Sequence, residues 1–260
     1  MIITTAGRTN NEMIQLAIRY AALLQIPYIS RRKLSVEEIM VQEKDDVLVV
    51  GQNRLDIYPL NHPHEPIFFH PNSAMFRVKR VLRGEADPLV YAAGLKEGMT
   101  FLDCTLGLGS DSIVASSVVG KTGRVVGIEG NRFIAFLLQH GLKTWESGSD
   151  EMNLAMSRIE VVQRNNLDFL KEQKNNSFDV VYFDPMFNMK IEESDGIKGL
   201  RNIALYTDIL EETIAEAKRV ANKRIVLKDY WKSTRFETFG FAVFRRKTAK
   251  FHFGVIGTDD

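Results

Sequence analysis

The sequence predicts an α/β fold: a mostly parallel seven-stranded sheet with a C-terminal antiparallel hairpin over residues 71–260, preceded by a small N-terminal α/β segment over residues 1–70. Three observations predict it. From residue 100 onward, short apolar runs alternate with helical stretches across short turns, the pattern of parallel strands covered on both faces. Residues 240–246 and 250–256 read as two strands with no room for a crossover helix, so they pair antiparallel at or near a sheet edge. The first seventy residues alternate strand and helix on a smaller scale, with no repeat and no low-complexity linker.

Residues 1–5 form a short strand, and 7–11 a turn. Met13, Leu16, Ala17, Tyr20, Leu23 and Leu24 recur at helical spacing, and Pro27 stops that helix. Ser35 and Glu38 form a capping-box pattern, because each side chain can satisfy the other's free amide. Residues 47–50 and 54–60 are strands, and residues 62–66 a loop. Residues 74–93 are helical in parts, with Pro88 opening a new helix at its first turn and Gly94 and Gly98 closing it. Then come strand 100–104, helix 110–119, strand 124–128, helix 131–145, strand 159–163, helix 167–173 and strand 179–183. A long helix from about residue 203 to 220 and strand 224–228 precede the hairpin.

At 260 residues the chain holds one large domain, or a core with a small appendage. No apolar run approaches the roughly 18 residues of a membrane span. The start, Met-Ile-Ile-Thr-Thr-Ala-Gly-Arg, lacks a basic region followed by an apolar one, so no signal peptide is expected. The single cysteine, Cys104, excludes an internal disulfide and a cysteine metal cluster, and the expected location is the cytoplasm. Net charge is +1, but between Arg219 and Lys250 ten Lys/Arg face only Asp229 and Glu237. Arg77, Lys79, Arg80 and Arg83 form a second basic cluster. Such patches suit phosphate backbones, and a solvated surface balanced elsewhere fits them equally.

The chemistry-bearing residues lie at predicted strand ends, where open α/β sheets bind ligands. Asp103 is followed by Thr105, Gly107 and Gly109, with Ser110 and Asp111 entering a helix. Glycines allow close backbone approach and positive φ. Alone, Gly-x-Gly fits an ordinary tight turn as well as a ligand cradle. Glu129 ends the next strand, where a carboxylate can accept both ribose hydroxyls or simply favour a helix N-terminus, and Gly130 leaves room for an adenine. Asp103 can orient the loop or meet the ammonium of an amino-acid moiety. Acids at positions 103, 111 and 129 are poor neighbours for a pyrophosphate, which favours S-adenosylmethionine over a dinucleotide. Asn165 and Asn166 suit either the adenine edge or a helix cap.

The fourth strand ends in Asp184-Pro185-Met186-Phe187. The lone pair of an exocyclic amine is delocalised into its ring, and acceptors holding its hydrogens orient it. A carboxylate and a backbone carbonyl in a proline-stiffened turn supply them, and Phe187 offers a face on which a base can stack. The plain alternative is a strand-end turn with a buried phenyl ring. His62, His64 and His70 read as ordinary loop histidines, and no metal is expected.

With these motifs in place the chain resembles the RsmJ-type ribosomal RNA guanine-N2 methyltransferases. The resemblance rests on Asp103-Cys-Thr-Leu-Gly-Leu-Gly-Ser-Asp111, Glu129, Asn165-Asn166-Leu167 and Asp184-Pro-Met-Phe187. Arg83-Gly-Glu85, Val226-Leu-Lys228 and Phe251-His-Phe253 add to it, over residues 70–256. Asn188 and Met189 depart from it. It implies a Rossmann-like class I methyltransferase fold, S-adenosylmethionine as methyl donor, and a guanine of small-subunit rRNA as target. Ser110, Asp111, Glu129, Gly130, Asn165, Asn166 and Asp184 would then line the cofactor site, with Asp103, Gly107 and Gly109 in the loop. Asp184, Pro185 and Phe187 would act at the base, and Arg77, Arg83, Lys228 and Arg245 would hold RNA. Other readings are an amino-methyltransferase acting on adenine or cytosine in DNA or tRNA or on a protein glutamine, and a cofactor-fold protein that binds RNA or a partner without transfer. A dehydrogenase would need a third glycine and a proton-relay residue.

Overall fold

The computed structural model describes residues 1–185 and 209–257, in two compact units that divide between His70 and Pro71. Phe187, and residues 203–208 of the helix expected from the sequence, lie outside the described residues.

In the first unit, β1 (Ile2–Thr5) is followed by α1 (Asn11–Leu24), α2 (Val36–Glu43), β2 (Val47–Val50), β3 (Leu55–Tyr58) and β4 (Ile67–Phe68). The strands lie in sequence order, β1 and β2 parallel and the rest antiparallel. Asn10 caps α1 by accepting from the Met13 amide at 2.8 Å. The Ser35–Glu38 capping box forms in both directions, at 3.0 and 2.6 Å. Ile2, Ile39, Met40, Val47 and Val49 make a core of their own.

The second unit begins with α3 (Asn72–Leu82) and α4 (Pro88–Ala93). The alternating series is β5 (Thr100–Asp103), α5 (Ser110–Val119), β6 (Arg124–Glu129), α6 (Arg132–Thr144), α7 (Asp150–Ser157), β7 (Ile159–Gln163), α8 (Asn166–Glu172) and β8 (Phe178–Phe183). It ends with α9 (Glu211–Val220), β9 (Ala221–Tyr230), α10 (Arg235–Thr238), β10 (Ala242–Phe244) and β11 (Phe251–Gly257). The seven strands lie in the order β10-β11-β9-β8-β5-β6-β7. Those from β5 to β9 are parallel, and β10 and β11 form the antiparallel hairpin. The fold class is the Rossmann-like α/β arrangement expected from the sequence. Among the described residues no helix is long and apolar enough to cross a membrane.

Differences from expectation have local causes. The short helix α7 is an addition to the expected elements; Ser149 caps it, and Met152, Ala155 and Met156 are its buried face. β9 is longer than the expected 224–228, because Ala221 pairs with β8 at one end while Asp229 and Tyr230 pair with β11 at the other. The described part of the long helix starts at Glu211, with Leu210 as its extended N-cap.

The order of strands positions the site. From β5 the chain steps outward through β6 to β7; it then returns to the other side of β5 with β8 and continues to β9. The carboxyl ends of β5 and β8 therefore border the crevice where winding reverses, the place at which sheets of this kind bind ligands.

Candidate active site

The β5 end is a rigid turn. Asp103 is buried, and its Oδ1 accepts from the Thr105 amide at 3.0 Å while Oδ2 accepts from the Ser112 hydroxyl at 2.7 Å. Both bonds tie Asp103 to its own loop and to the start of α5. Burial pushes the Asp103 carboxyl up to about 7, against the pull of those hydrogen bonds. Gly107 and Gly109 take φ of 52° and 74°, left-handed conformations that suit glycine. The Ser110 hydroxyl donates to Ser73 Oγ at 3.3 Å.

Next to this turn Glu129 ends β6, half-buried. Its carboxylate accepts from the Asn131 amide at 2.8 Å and from the amides of Gly107 and Gly130, which ties the ends of β5 and β6 together. Burial raises its pKa. The Gly130 carbonyl accepts from Gln163 Nε2 at 3.4 Å. Asn165 caps α8, accepting from the Leu167 and Asp168 amides at 2.9 and 3.3 Å. Asn166 Nδ2 donates to the Cys104 carbonyl at 3.2 Å, joining β5 to the start of α8. The nucleoside-bearing sulfonium expected from the sequence fits this donor set. A carboxylate stands at a strand end for a diol, beside a loop without side chains at two positions, and no cation in it calls for a pyrophosphate.

Across the switch point the carboxylates take cations. Lys228, on β9, donates from Nζ to Asp184 Oδ2 at 2.6 Å and to Asp111 Oδ2 at 3.1 Å. Asp111 also accepts from Arg77 Nη1 and from the Tyr182 hydroxyl, the latter at 2.7 Å. Arg77 continues to Asp87 through Nε and Nη2, at 2.8 and 3.0 Å. Asp87 Oδ1 in turn caps α4, accepting from the Leu89 amide at 2.9 Å. The result is a row of alternating charge, Asp87–Arg77–Asp111–Lys228–Asp184, from the start of α4 to the end of β8.

The row sets the ionisation of its members. Burial by itself opposes a charge on Asp111, but the Lys228 ammonium and the Arg77 guanidinium hold its carboxyl well below the usual range. Burial also opposes the charge on Lys228, and Asp111 and Asp184 together raise its pKa. Asp184 lies at the end of the row and is pushed up to about 6, by burial first, with Lys228 pulling down and Asp111 pushing up. Its side chain is 25% exposed, which makes it the most exposed carboxylate of the row; the Lys228 side chain beside it is 24% exposed. The Asp184 amide donates to Thr105 Oγ1 at 2.6 Å, which fixes Asp184 against the β5 loop. Pro185 is buried.

Two of the four residues expected to hold RNA lie within this row. Arg77, expected at an RNA surface, points inward, because it lies on the side of α3 that carries buried Ala74 and Val78, and both ends of its guanidinium are bound by carboxylates. Lys228, expected to hold RNA, has its ammonium between two carboxylates. Arg83 is exposed, 3.8 Å from Glu85, and Arg245 is exposed in the turn after β10. Thr105, Ser112, Asp87 and Tyr182 support the site without having been assigned to it from the sequence. Tyr182 carries a signal there: a phenol inside an apolar strand needs a buried partner.

A family model described as SAM-dependent methyltransferase matches residues 29–249. The chain is 51% identical over 257 residues to the uncharacterized protein YpiP of Bacillus subtilis strain 168, covering 99% of each. It is 25% identical over 226 residues to ribosomal RNA small subunit methyltransferase J of Pseudomonas fluorescens strain SBW25, covering 82% of this chain and 78% of that one. Among solved structures, the SAM-dependent methyltransferase NGO1261 of Neisseria gonorrhoeae superposes with a TM-score of 0.63 at 18% identity. That likeness of fold covers 99% of this chain and 96% of the other.

Proposed function

The chain belongs to the SAM-dependent methyltransferase family, and on that premise we propose that it methylates an exocyclic amine of a nucleobase, guanine N2 in small-subunit rRNA. The observation that carries this reading is Asp184 at the switch point, partly exposed, with Lys228 bound to its Oδ2. The resemblance in sequence to ribosomal RNA small subunit methyltransferase J supports RNA as the substrate, and the cytoplasm is then the place of action.

S-adenosylmethionine, when bound, supplies a methyl group made electrophilic by its sulfonium. Glu129 is the residue for the ribose hydroxyls, the loop from Asp103 to Asp111 forms the wall beside it, and Asn165 and Asn166 stand at the adenine side. Lys228 holds Asp184 Oδ2, and Oδ1 is the atom assigned to the amine. By accepting an amine hydrogen, Oδ1 turns the nitrogen lone pair out of conjugation and then takes up the proton that the nitrogen sheds. A carboxyl with a pKa of about 6 is ionised at neutral pH yet basic enough for that task. The Pro185 carbonyl follows as a second acceptor, and Phe187, two residues on in the sequence, is the stacking face in this reading.

The test is transfer of labelled methyl from S-adenosylmethionine to small ribosomal subunits from cells lacking this gene, followed by base analysis. The expected product is N2-methylguanine in the small-subunit rRNA. Label in a different base, or none with cofactor binding intact, would reject the guanine assignment.

A further inference from the structure

The carboxyl edge of the sheet continues past the site, and its far side carries a surface of a different kind. In the strand registers, Phe183 of β8 lies opposite Leu227 of β9, Lys228 opposite Phe253 of β11, and Phe253 opposite Phe244 of β10. The next residue after each of Phe183 and Phe244 therefore leaves the sheet at the same edge: Asp184 in one case, Arg245 in the other. Three strand spacings of about 4.8 Å separate β8 from β10, so about 14 Å lies between the two exits.

The turn that leaves β10 is strongly basic. Four of the six residues from 245 to 250 are Lys or Arg, and none is acidic. All four basic side chains are exposed. The turn is also ordered, since the Ala249 amide donates to the Arg246 carbonyl at 3.3 Å and the Arg246 amide to His252 Nδ1 at 3.4 Å. The end of β9 is tied to it, the Trp231 amide donating to the Lys250 carbonyl at 3.1 Å.

Exposed aromatic rings stand among these charges. Trp231 is 48% exposed, with the Lys232 ammonium 4.6 Å from its ring centroid. Phe244 is 40% exposed and meets Tyr91 edge-on, the centroids 5.5 Å apart. An acidic protein would satisfy the cations, but it has no general need of flat apolar faces between them. A single strand of nucleic acid uses both, because its phosphates are spaced among bases whose every π-face can stack.

We propose that the turn 245–250, with Trp231 and Lys232, is the docking surface for the single-stranded RNA that flanks the target base. The inference rests on the nucleic-acid reading of Asp184 and names where the strand leaves that site. It also separates roles along one edge: the cations facing the crevice are bound to carboxylates, and those on the hairpin are presented to solvent.

The test uses the full chain and a fluorescein-labelled single-stranded RNA of mixed sequence, about twelve nucleotides long, within the span such surfaces cover. Binding is followed by anisotropy over a series of salt concentrations. Arg245→Glu combined with Lys247→Glu is expected to weaken binding more than tenfold. It should also make the salt dependence shallower by about 1.4 in log–log slope, because two phosphates are no longer neutralised by the protein. Trp231→Ala is expected to weaken binding about tenfold with the slope unchanged, because stacking releases no counterions. Circular dichroism and S-adenosylmethionine affinity report that each variant is folded with its cofactor site intact. Unchanged RNA affinity in both folded variants overturns the proposal. Poly-glutamate competing as well as RNA, with no effect of Trp231→Ala, overturns it in favour of an acidic protein. Methyl transfer to small ribosomal subunits by the wild-type chain is scored separately. Hairpin-dependent binding without transfer supports the surface and rejects the nucleobase reading, whereas transfer with binding unchanged in both variants does the reverse.

Discussion

At the ends of β5 and β6, the carboxylates of Asp103 and Glu129 accept from backbone amides and a hydroxyl; beyond the switch point, those of Asp111 and Asp184 accept from Lys228 and Arg77. The first arrangement fixes backbone and adds no positive charge, which leaves that half suited to a cationic ligand. The second arrangement fixes side chains and distributes charge, so that the one carboxylate at its exposed end can be ionised while remaining weakly basic. Carboxylates of similar burial thus do different work according to whether dipoles or ions face them.

The largest effect that would break this contrast is expected at the centre of the row. Asp111→Ala leaves Arg77 and Lys228 without their shared carboxylate and the Tyr182 hydroxyl without its acceptor. Removing one partner of a buried ionic network costs about 3–5 kcal/mol, to be read from urea unfolding. A loss below about 1 kcal/mol would mean that the cations find water, as surface pairs do.

Next in size is the acceptor itself. Asp184→Asn should lower the transfer rate by at least about a hundredfold while the chain stays folded, the scale of losing a positioned acid–base group. In the wild type, transfer should rise as pH increases through about 6, where Asp184 becomes ionised. Lys228→Met removes the cation that pulls this value down, so the midpoint should move to higher pH, and Lys228→Arg should restore it in part. A pH profile unmoved by Lys228→Met would separate Asp184 from the rate. Stability has the opposite sign. Burial raises both Asp103 and Asp184, so the folded chain holds protons that the unfolded chain has lost, and their contribution declines between about pH 4 and 7.

The smallest effect is expected in the backbone-bonded half. Glu129→Gln keeps one oxygen for the Asn131 amide but removes the charge. S-adenosylmethionine affinity should fall about tenfold by calorimetry, the scale of one charge-assisted hydrogen bond, with unfolding little changed. An unchanged Kd would place the ribose elsewhere and dissolve the distinction between the halves.

Some of this is legible in the chain alone. The alternation from residue 100 to 228 and the close pair of terminal strands specify a parallel sheet with an antiparallel hairpin, and that is the sheet observed. Position in a cluster does not show the environment of Arg77, since Lys79, Arg80 and Arg83 are exposed neighbours in sequence while helical spacing puts residue 77 beside Ala74 and Val78. The helix α7 escapes a reading of the sequence because its apolar residues, Met152, Ala155 and Met156, make too short a stripe to stand out from a loop.

The sequence by itself determined the parallel series, the strand-end positions of Asp103, Glu129 and Asp184, and the basic character of residues 245–250. These follow from local periodicity and turn chemistry, which depend on near neighbours in the chain. Tertiary structure alone decided that Lys228 lies between Asp111 and Asp184, although 117 and 44 residues separate it from them, and that the hairpin leaves the sheet at the same edge as Asp184. Those outcomes depend on strand order and register, and hydrogen bonding between distant segments sets both.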